Sequence, residues 1–342
     1  MNTSPRPSAP TLSRRQALRL LGLSGAAFAA LPTWLRAQGR VLNPPPELAG
    51  AEPGFYRFRI GEFEALALAD GGIKGPLPQM NWWANAENQA VVDALYASFE
   101  PPQIELGFSV VLVRAGNELV LVDTGCGNLF GALGGKLPAS LAAAGVHPDQ
   151  VTTVILSHGH GDHMGGLVDP TTGQVAYKNA RHLIHGAEYD FWMNGTPDLA
   201  AVRLPADAKA TAIVNARKML GALQGRWERV NPGDQPVPGV TIVDMPGHTP
   251  GHVGVLFAQG NERMLHVADA LHHHTLSFQH PEWQFAGDVL PGLAVQTRRR
   301  IMAQASTERT RIFGGHLPFP CLGHVRADGD HFQYVFEAWE SA

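Results

Sequence analysis

Cysteine is almost missing from this chain: Cys126 and Cys321 are the only two among 342 residues. Two thiols so far apart exclude a disulfide framework and a cysteine-ligated zinc site. We read both as small buried residues beside candidate ligand loops. In an oxidising compartment they can bridge only if their Cα atoms come within ~7 Å. Long apolar runs are missing too. Past the first 37 residues nothing reaches the ~18 residues that a membrane-spanning helix needs. There is no Gly-x-Ser-x-Gly turn to raise a serine nucleophile, no internal repeat and no low-complexity tract.

Charge is sparse and unevenly placed. Charged residues make up 16% of the chain, with a net charge of −4. Residues 1–37 hold five arginines (positions 6, 14, 15, 19 and 36) and no acid, so without them the chain carries −9. An acidic body excludes a nucleic-acid groove, which needs a basic surface. Ser13-Arg14-Arg15-Gln16-Ala17-Leu18 precedes an apolar run from Leu20 to Leu31, then Pro32 and Ala37. This pattern reads as a twin-arginine-type signal over 1–37, with a periplasmic or secreted destination. Residues 38–54, rich in Pro and Gly, read as an extended lead-in. Residues 55–342 read as one domain with an ample core, in a chain that is 44% hydrophobic.

Within that domain the apolar periodicity predicts a hairpin, Phe55 to Ile60 and Phe63 to Leu68, about Gly61-Glu62. It predicts a second from Phe108 to Arg114 and Leu119 to Asp123, and short strands at Val151–Ser157, Arg181–Ile184, Val240–Met245, Val253–Phe257, Arg263–Ala268 and Thr310–Phe313. Helical spacing covers Asn85–Phe99, Leu137–Ala144, Ala187–Trp192, Ala208–Leu223 and Leu293–Ala305. Such interleaving fits an α+β architecture of two packed sheets with helices outside.

What the chain has in concentration is histidine. The apolar strand from Thr153 breaks into Ser157-His-Gly-His-Gly-Asp-His163, four metal-capable side chains within six residues. Imidazole and carboxylate together suit zinc and related divalent ions. Gly159 and Gly161 let the chain turn tightly enough to aim His158 and His160 at one point.

This segment resembles the His-x-His-x-Asp-His motif of the metallo-β-lactamase-fold hydrolases. The resemblance implies a four-layer αββα sandwich and two divalent ions sharing a hydroxide. Carried over position by position, it implies His158, His160 and His248 on one ion, Asp162, His163 and His316 on the other, and Asp269 bridging. His248 comes from the Pro246-Gly-His-Thr249 turn, with His252 packing under the loop, and Asp269 ends an apolar strand. His316 follows Gly314-Gly315, with His324 as its competitor. Zinc is the first choice of metal, and Mn, Fe or Co are alternatives. With no cysteine among these positions the cysteine-containing lactamase subclasses are disfavoured, and His160 in place of glutamate disfavours the di-iron electron-transfer branch.

The pattern is most similar to the methyl parathion hydrolase-like branch, in Leu121-Val-Asp-Thr-Gly125, Asp190-Phe-Trp192 and the ending His316 to Arg326. That resemblance implies an apolar leaving-group pocket at Phe130 and Trp192; the plain alternative is that both are core aromatics. It also implies a homodimer. In the related N-acyl homoserine lactonases a tyrosine stands three residues after the bridging aspartate. His272 takes that place here, so Asp162 and His272 are read as the catalytic side chains, His272 also contacting substrate. The expected activity is hydrolysis of a small molecule: a lactone, an aryl ester or a phosphotriester. A β-lactamase or thioesterase is the alternative, disfavoured because no cationic clamp is evident, Lys136 and Lys178 being unplaced. A non-catalytic metal scaffold is disfavoured because a structural zinc needs only four ligands.

Overall fold

The computed structural model describes residues 54–77 and 79–338. The twin-arginine-type segment 1–37 and the lead-in through residue 53 lie outside the described residues.

The described residues open with strands β1 (Phe55–Ile60) and β2 (Phe63–Pro76), joined at Gly61, whose φ of 58° suits a residue without a Cβ. Helix α1 (Asn88–Ala97) leads to the hairpin β3 (Gln103–Ala115) and β4 (Glu118–Val122). Helix α2 (Leu137–Ala143), β5 (Thr153–Leu156), the single turn α3 (Gly161–Met164) and β6 (Arg181–His185) follow. Next come α4 (Gly186–Met193), α5 (Ala206–Gly221) and β7 (Trp227–Val230). The second half comprises β8 (Val240–Asp244), β9 (Val253–Gln259), β10 (Glu262–His266), α6 (Leu276–Gln279) and α7 (Pro291–Glu308). It closes with β11 (Arg311–Phe313), β12 (Leu322–Asp328) and β13 (His331–Phe336).

β1 to β7 form one sheet in sequence order, and the second runs β13-β12-β11-β10-β9-β8. The strand period of two decides what each sheet face touches. In the first sheet Val111, Val113, Val120, Val122 and Ile155 point at the second, where they meet Ile242, Val255, Phe257 and Phe313. Their neighbours Val110, Leu112, Leu119, Leu121, Val154 and Leu156 face outward onto Leu141 of α2 and Met219 and Leu220 of α5. On the far side Leu265 and Ile312 pack under Ile301 and Met302 of α7. The result is helix, sheet, sheet, helix. β5 is buried along its whole length, as a central strand paired in parallel on both sides must be. Burying each such Val, Leu or Ile contributes roughly 1.5–3 kcal/mol.

The predicted elements are present, with helix ends shifted by one to three residues in either direction. Three strands went unread. β7 is short and half charged, and the β12–β13 hairpin carries His, Arg, Asp and Gln on an exposed sheet edge, so neither gives a clean apolar alternation. Among the described residues no helix is long and apolar enough to cross a membrane. Cys126 and Cys321 are both buried and unpaired.

Candidate metal centre

The chain leaves β5, β8, β10 and β11 at the same rim of the sandwich, and the loops beyond them carry the predicted ligands. His158 and His160 follow β5. Asp162 and His163 ride on α3, whose N-cap is His160. His248 follows β8, Asp269 follows β10 and His316 follows β11.

Two groupings result. His158, His160, His248 and Asp269 bring ligand atoms within 4.8 Å of one another, and so do Asp162, His163 and His316. Asp269 faces both: Oδ2 lies 3.2 Å from His248 Nε2 and 3.7 Å from His158 Nε2, and Oδ1 lies 3.0 Å from His163 Nε2. Oδ2 is also 3.2 Å from His316 Nε2, while Asp162 Oδ2 lies 3.5 Å from both His163 and His316.

Outer partners fix which nitrogen looks inward. His163 Nδ1 donates to Asp123 Oδ2 at 2.8 Å, His248 Nδ1 to Asp288 Oδ1 at 2.9 Å, and His316 Nδ1 to the Gly107 carbonyl at 2.7 Å. A neutral ring that donates from Nδ1 carries a bare lone pair on Nε2. His158 Nδ1 meets Ser157 Oγ at 3.1 Å, and that hydroxyl donates onward to Asp123, so its Nε2 is directed the same way. His160 turns Nδ1 inward, 2.8 Å from His248 Nε2 and 3.1 Å from His158 Nε2. Lone pairs and two carboxylates thus converge, and His163 Nε2 and Asp269 Oδ1 are buried with no hydrogen-bond partner. Such a donor set fits two divalent cations.

The electrostatics agree. Burial pushes His158 well below the usual imidazole range and His160 down to about 3. Burial opposes charge on His163, His248 and His316 as well, but Asp269 together with Asp162, Asp123 and Asp288 outweighs it, raising His163 and His316 and taking His248 to about 9. Burial would raise Asp162 and Asp269 too, yet the surrounding histidines, His163 and then His316 foremost, together hold both below the usual carboxylate range. The clustered carboxylates thus favour positive charge at the seat.

His252 lies under the seat: Nδ1 donates to the Met245 carbonyl and Nε2 accepts from the Asp269 amide at 3.1 Å. His324, the competitor of His316, sits on β12 and belongs to neither grouping. His272 is buried with Nε2 3.4 Å from Asp269 Oδ2, its ring stacked on Phe285 at 3.7 Å, and burial pushes it down to about 4. His273 and His274 point instead toward Glu100. That third grouping is no seat for a metal, because His273 Nδ1 accepts from the Thr275 and Leu276 amides. Its proton is therefore on Nε2, facing Glu100.

A cavity of ≈ 410 Å³ opens onto both groupings, with His160, Asp162, His248, Asp269 and His316 in its floor. Phe130 and Trp192 line it, as do Phe108, Trp82 and Phe285, with α5 forming one wall. Lys209 on that wall turns its Nζ to the Leu199 carbonyl, and Lys178 pairs with Asp149 away from the cavity.

Four supporting acids escaped the sequence reading as ligand holders: Asp70, Asp123, Glu188 and Asp288. Asp70 accepts from the Cys126 and Leu137 amides and fixes the loop beneath the motif. Glu188 is fully buried, and burial raises its pKa against four hydrogen bonds that lower it. Only Asp123 carried a signal, as the end of an apolar strand before Thr124-Gly125.

Comparison with known proteins gives the same reading. Residues 106–316 match the Metallo-beta-lactamase superfamily. The chain is 28% identical to AidC, a dizinc quorum-quenching lactonase solved with its product N-hexanoyl-L-homoserine; the match covers 84% of this chain and 99% of AidC at a TM-score of 0.80. It is 27% identical to the hydrolase AbOPH over 84% and 99% of the two chains, at a TM-score of 0.76. A probable metallo-hydrolase of Bacillus subtilis, YqjP, is 25% identical over 228 residues, 63% of this chain and 69% of that one. The chain spans between 56% and 69% of the length of the first curated relatives it matches. The αββα layers, the two groupings of histidine and aspartate and these likenesses agree: the chain belongs to the metallo-beta-lactamase superfamily and is a metal-dependent hydrolase with a seat for two metal ions.

Proposed function

We propose that this hydrolase opens lactones, with aryl esters and phosphotriesters as further substrates. The observation that carries the reading is the cavity, whose floor is both metal groupings and whose walls are apolar and aromatic. AidC, a lactonase of the same fold, supports it.

In this reading His158, His160 and His248 hold one ion, Asp162, His163 and His316 the other, and Asp269 lies between. Two divalent ions there, zinc before Mn, Fe or Co, supply Lewis acidity and a water acidified enough to attack near neutral pH. The chain's own residues do the rest. Phe130, Trp192 and Phe285 take up the apolar part of the substrate and exclude water. His272 is neutral, with Nε2 3.4 Å from Asp269 Oδ2 and a single N–H that this reading gives to a substrate carbonyl or leaving oxygen. A β-lactamase or thioesterase would want a cation for a substrate carboxylate, and Lys209 on the cavity wall is turned away.

The test is turnover of N-hexanoyl homoserine lactone, dihydrocoumarin, p-nitrophenyl acetate, methyl paraoxon and nitrocefin by the metal-loaded protein. Lactone or aryl ester hydrolysis that disappears in Asp269→Ala supports the reading. Nitrocefin as the one substrate turned over would overturn it.

A further inference from the structure

Helix α4 sits on both loops that carry the three-histidine grouping, and one side chain holds it there. Glu188 is 0% exposed. Its Oε1 accepts from the Gly159 amide at 2.8 Å and the Trp192 indole at 2.7 Å. Its Oε2 accepts from the Thr249 hydroxyl at 2.6 Å and the Gly251 amide at 3.1 Å. Gly159 lies between His158 and His160, and Thr249 follows His248. A single carboxylate therefore grips both ligand loops one peptide away from three ligands.

The packing explains two glycines. A Cβ on Gly159 would lie 2.4 Å from the Trp192 indole nitrogen, and one on Gly251 would lie 2.1 Å from the Glu188 amide. Both loops approach α4 so closely that only a residue without a side chain fits.

The four donors are all neutral. A buried carboxylate with no partner cation is costly, and hydrogen bonds offset only part of that. A cation bound among His158, His160 and His248 would complete the balance. The Asp162, His163 and His316 grouping has no such tie to α4: its outer acceptors are Asp123 and the Gly107 carbonyl.

We propose that Glu188 is a positioning residue that sets the affinity of the three-histidine seat selectively, by holding the Gly159 and Thr249–Gly251 segments in register. The inference rests on the two-ion reading above. In Glu188→Gln one oxygen gives way to an NH2 that faces donors, so two of the four hydrogen bonds are lost. Supporting groups of this kind are worth about 10- to 100-fold in metal affinity.

The experiment is zinc binding to the full chain by competition with a chromophoric chelator, with Glu188→Gln and the milder Thr249→Val compared at pH 7.5. One of two ions should weaken by about 10- to 100-fold in Glu188→Gln and by a smaller factor in Thr249→Val, the other ion holding within about threefold. If Glu188→Gln fails to fold, Thr249→Val decides alone. Two unchanged affinities, or an equal fall in both, overturn the proposal, since a purely structural role would not separate the ions. A wild-type chain that takes up fewer than two ions overturns the two-ion reading and this inference together.

Discussion

Asp123 Oδ2 accepts a hydrogen bond from His163 Nδ1 at 2.8 Å while the same carboxylate accepts the Ser157 amide at 2.7 Å and hydroxyl at 2.8 Å. One side chain at the end of β4 thus aims His163 and, through Ser157, His158. Asp123 does so with a φ of 66°, a conformation Asp and Asn tolerate better than other residues with a side chain. Asp123→Asn keeps that backbone and removes the charge. It should lower affinity for metal by about 10- to 100-fold, read by competition with a chelator. Unaltered affinity would show that the hydrogen bond does not orient the ring.

Gly165 and Gly166 close the motif where the chain passes under the Thr124–Cys126 loop. A Cβ on Gly165 would lie 2.1 Å from the Cys126 carbonyl oxygen, and one on Gly166 2.0 Å from that of Thr124. Neither backbone can yield cheaply. Gly165→Ala should cost about 1–3 kcal/mol of stability in denaturant unfolding and loosen the Asp162–His163 turn. A change below ~0.5 kcal/mol would mean that the loop is less constrained than its packing indicates.

Ala212 lies on the cavity wall formed by α5. Ala212→Trp fills part of that cavity from a residue that belongs to neither metal grouping. The expected result is a raised KM for long-chain acyl lactones with kcat for a small ester such as p-nitrophenyl acetate largely retained. An equal fall for both substrates would place the acyl chain elsewhere.

Away from the centre, His182 on β6 is 1% exposed and packs edge-on to Trp227 at 5.9 Å. Burial, helped by Arg226, pushes its pKa down to about 4 from 6.5. The folded state then binds fewer protons than the unfolded state between those values. The neutral ring's contribution to stability is complete above pH 6.5 and is lost as pH falls through 4. His182→Phe should flatten the decline of Tm over that window relative to the unmodified chain. Parallel declines would assign acid sensitivity to other groups.

The metal centre was legible because its ligands are local: four come from one six-residue stretch, and the others each follow an apolar strand. Phe130 and Trp192 could be placed only by resemblance, and the structure puts both on the cavity. His272 was singled out from a run of three histidines, and it alone of the three reaches Asp269. Glu188 was not legible. In Gly186–Met193 it reads as an ordinary first-turn acid, and nothing local reveals that Gly159 and Gly251, far off in sequence, donate to it. Asp288 in Gly287-Asp288-Val289 reads as a turn former, though it holds His248 at 2.9 Å. Sequence pattern exposes ligands at strand ends, whereas the acids that aim them depend on contacts that only the packed layers create.

Asp269 faces both groupings, so its loss should empty at least one of two metal seats. Equilibrium dialysis of the chain against zinc, followed by elemental analysis, should find two ions per chain, falling to one or none in Asp269→Ala. A single ion in the unmodified chain, or two retained after Asp269→Ala, would show that Asp269 does not serve two ions.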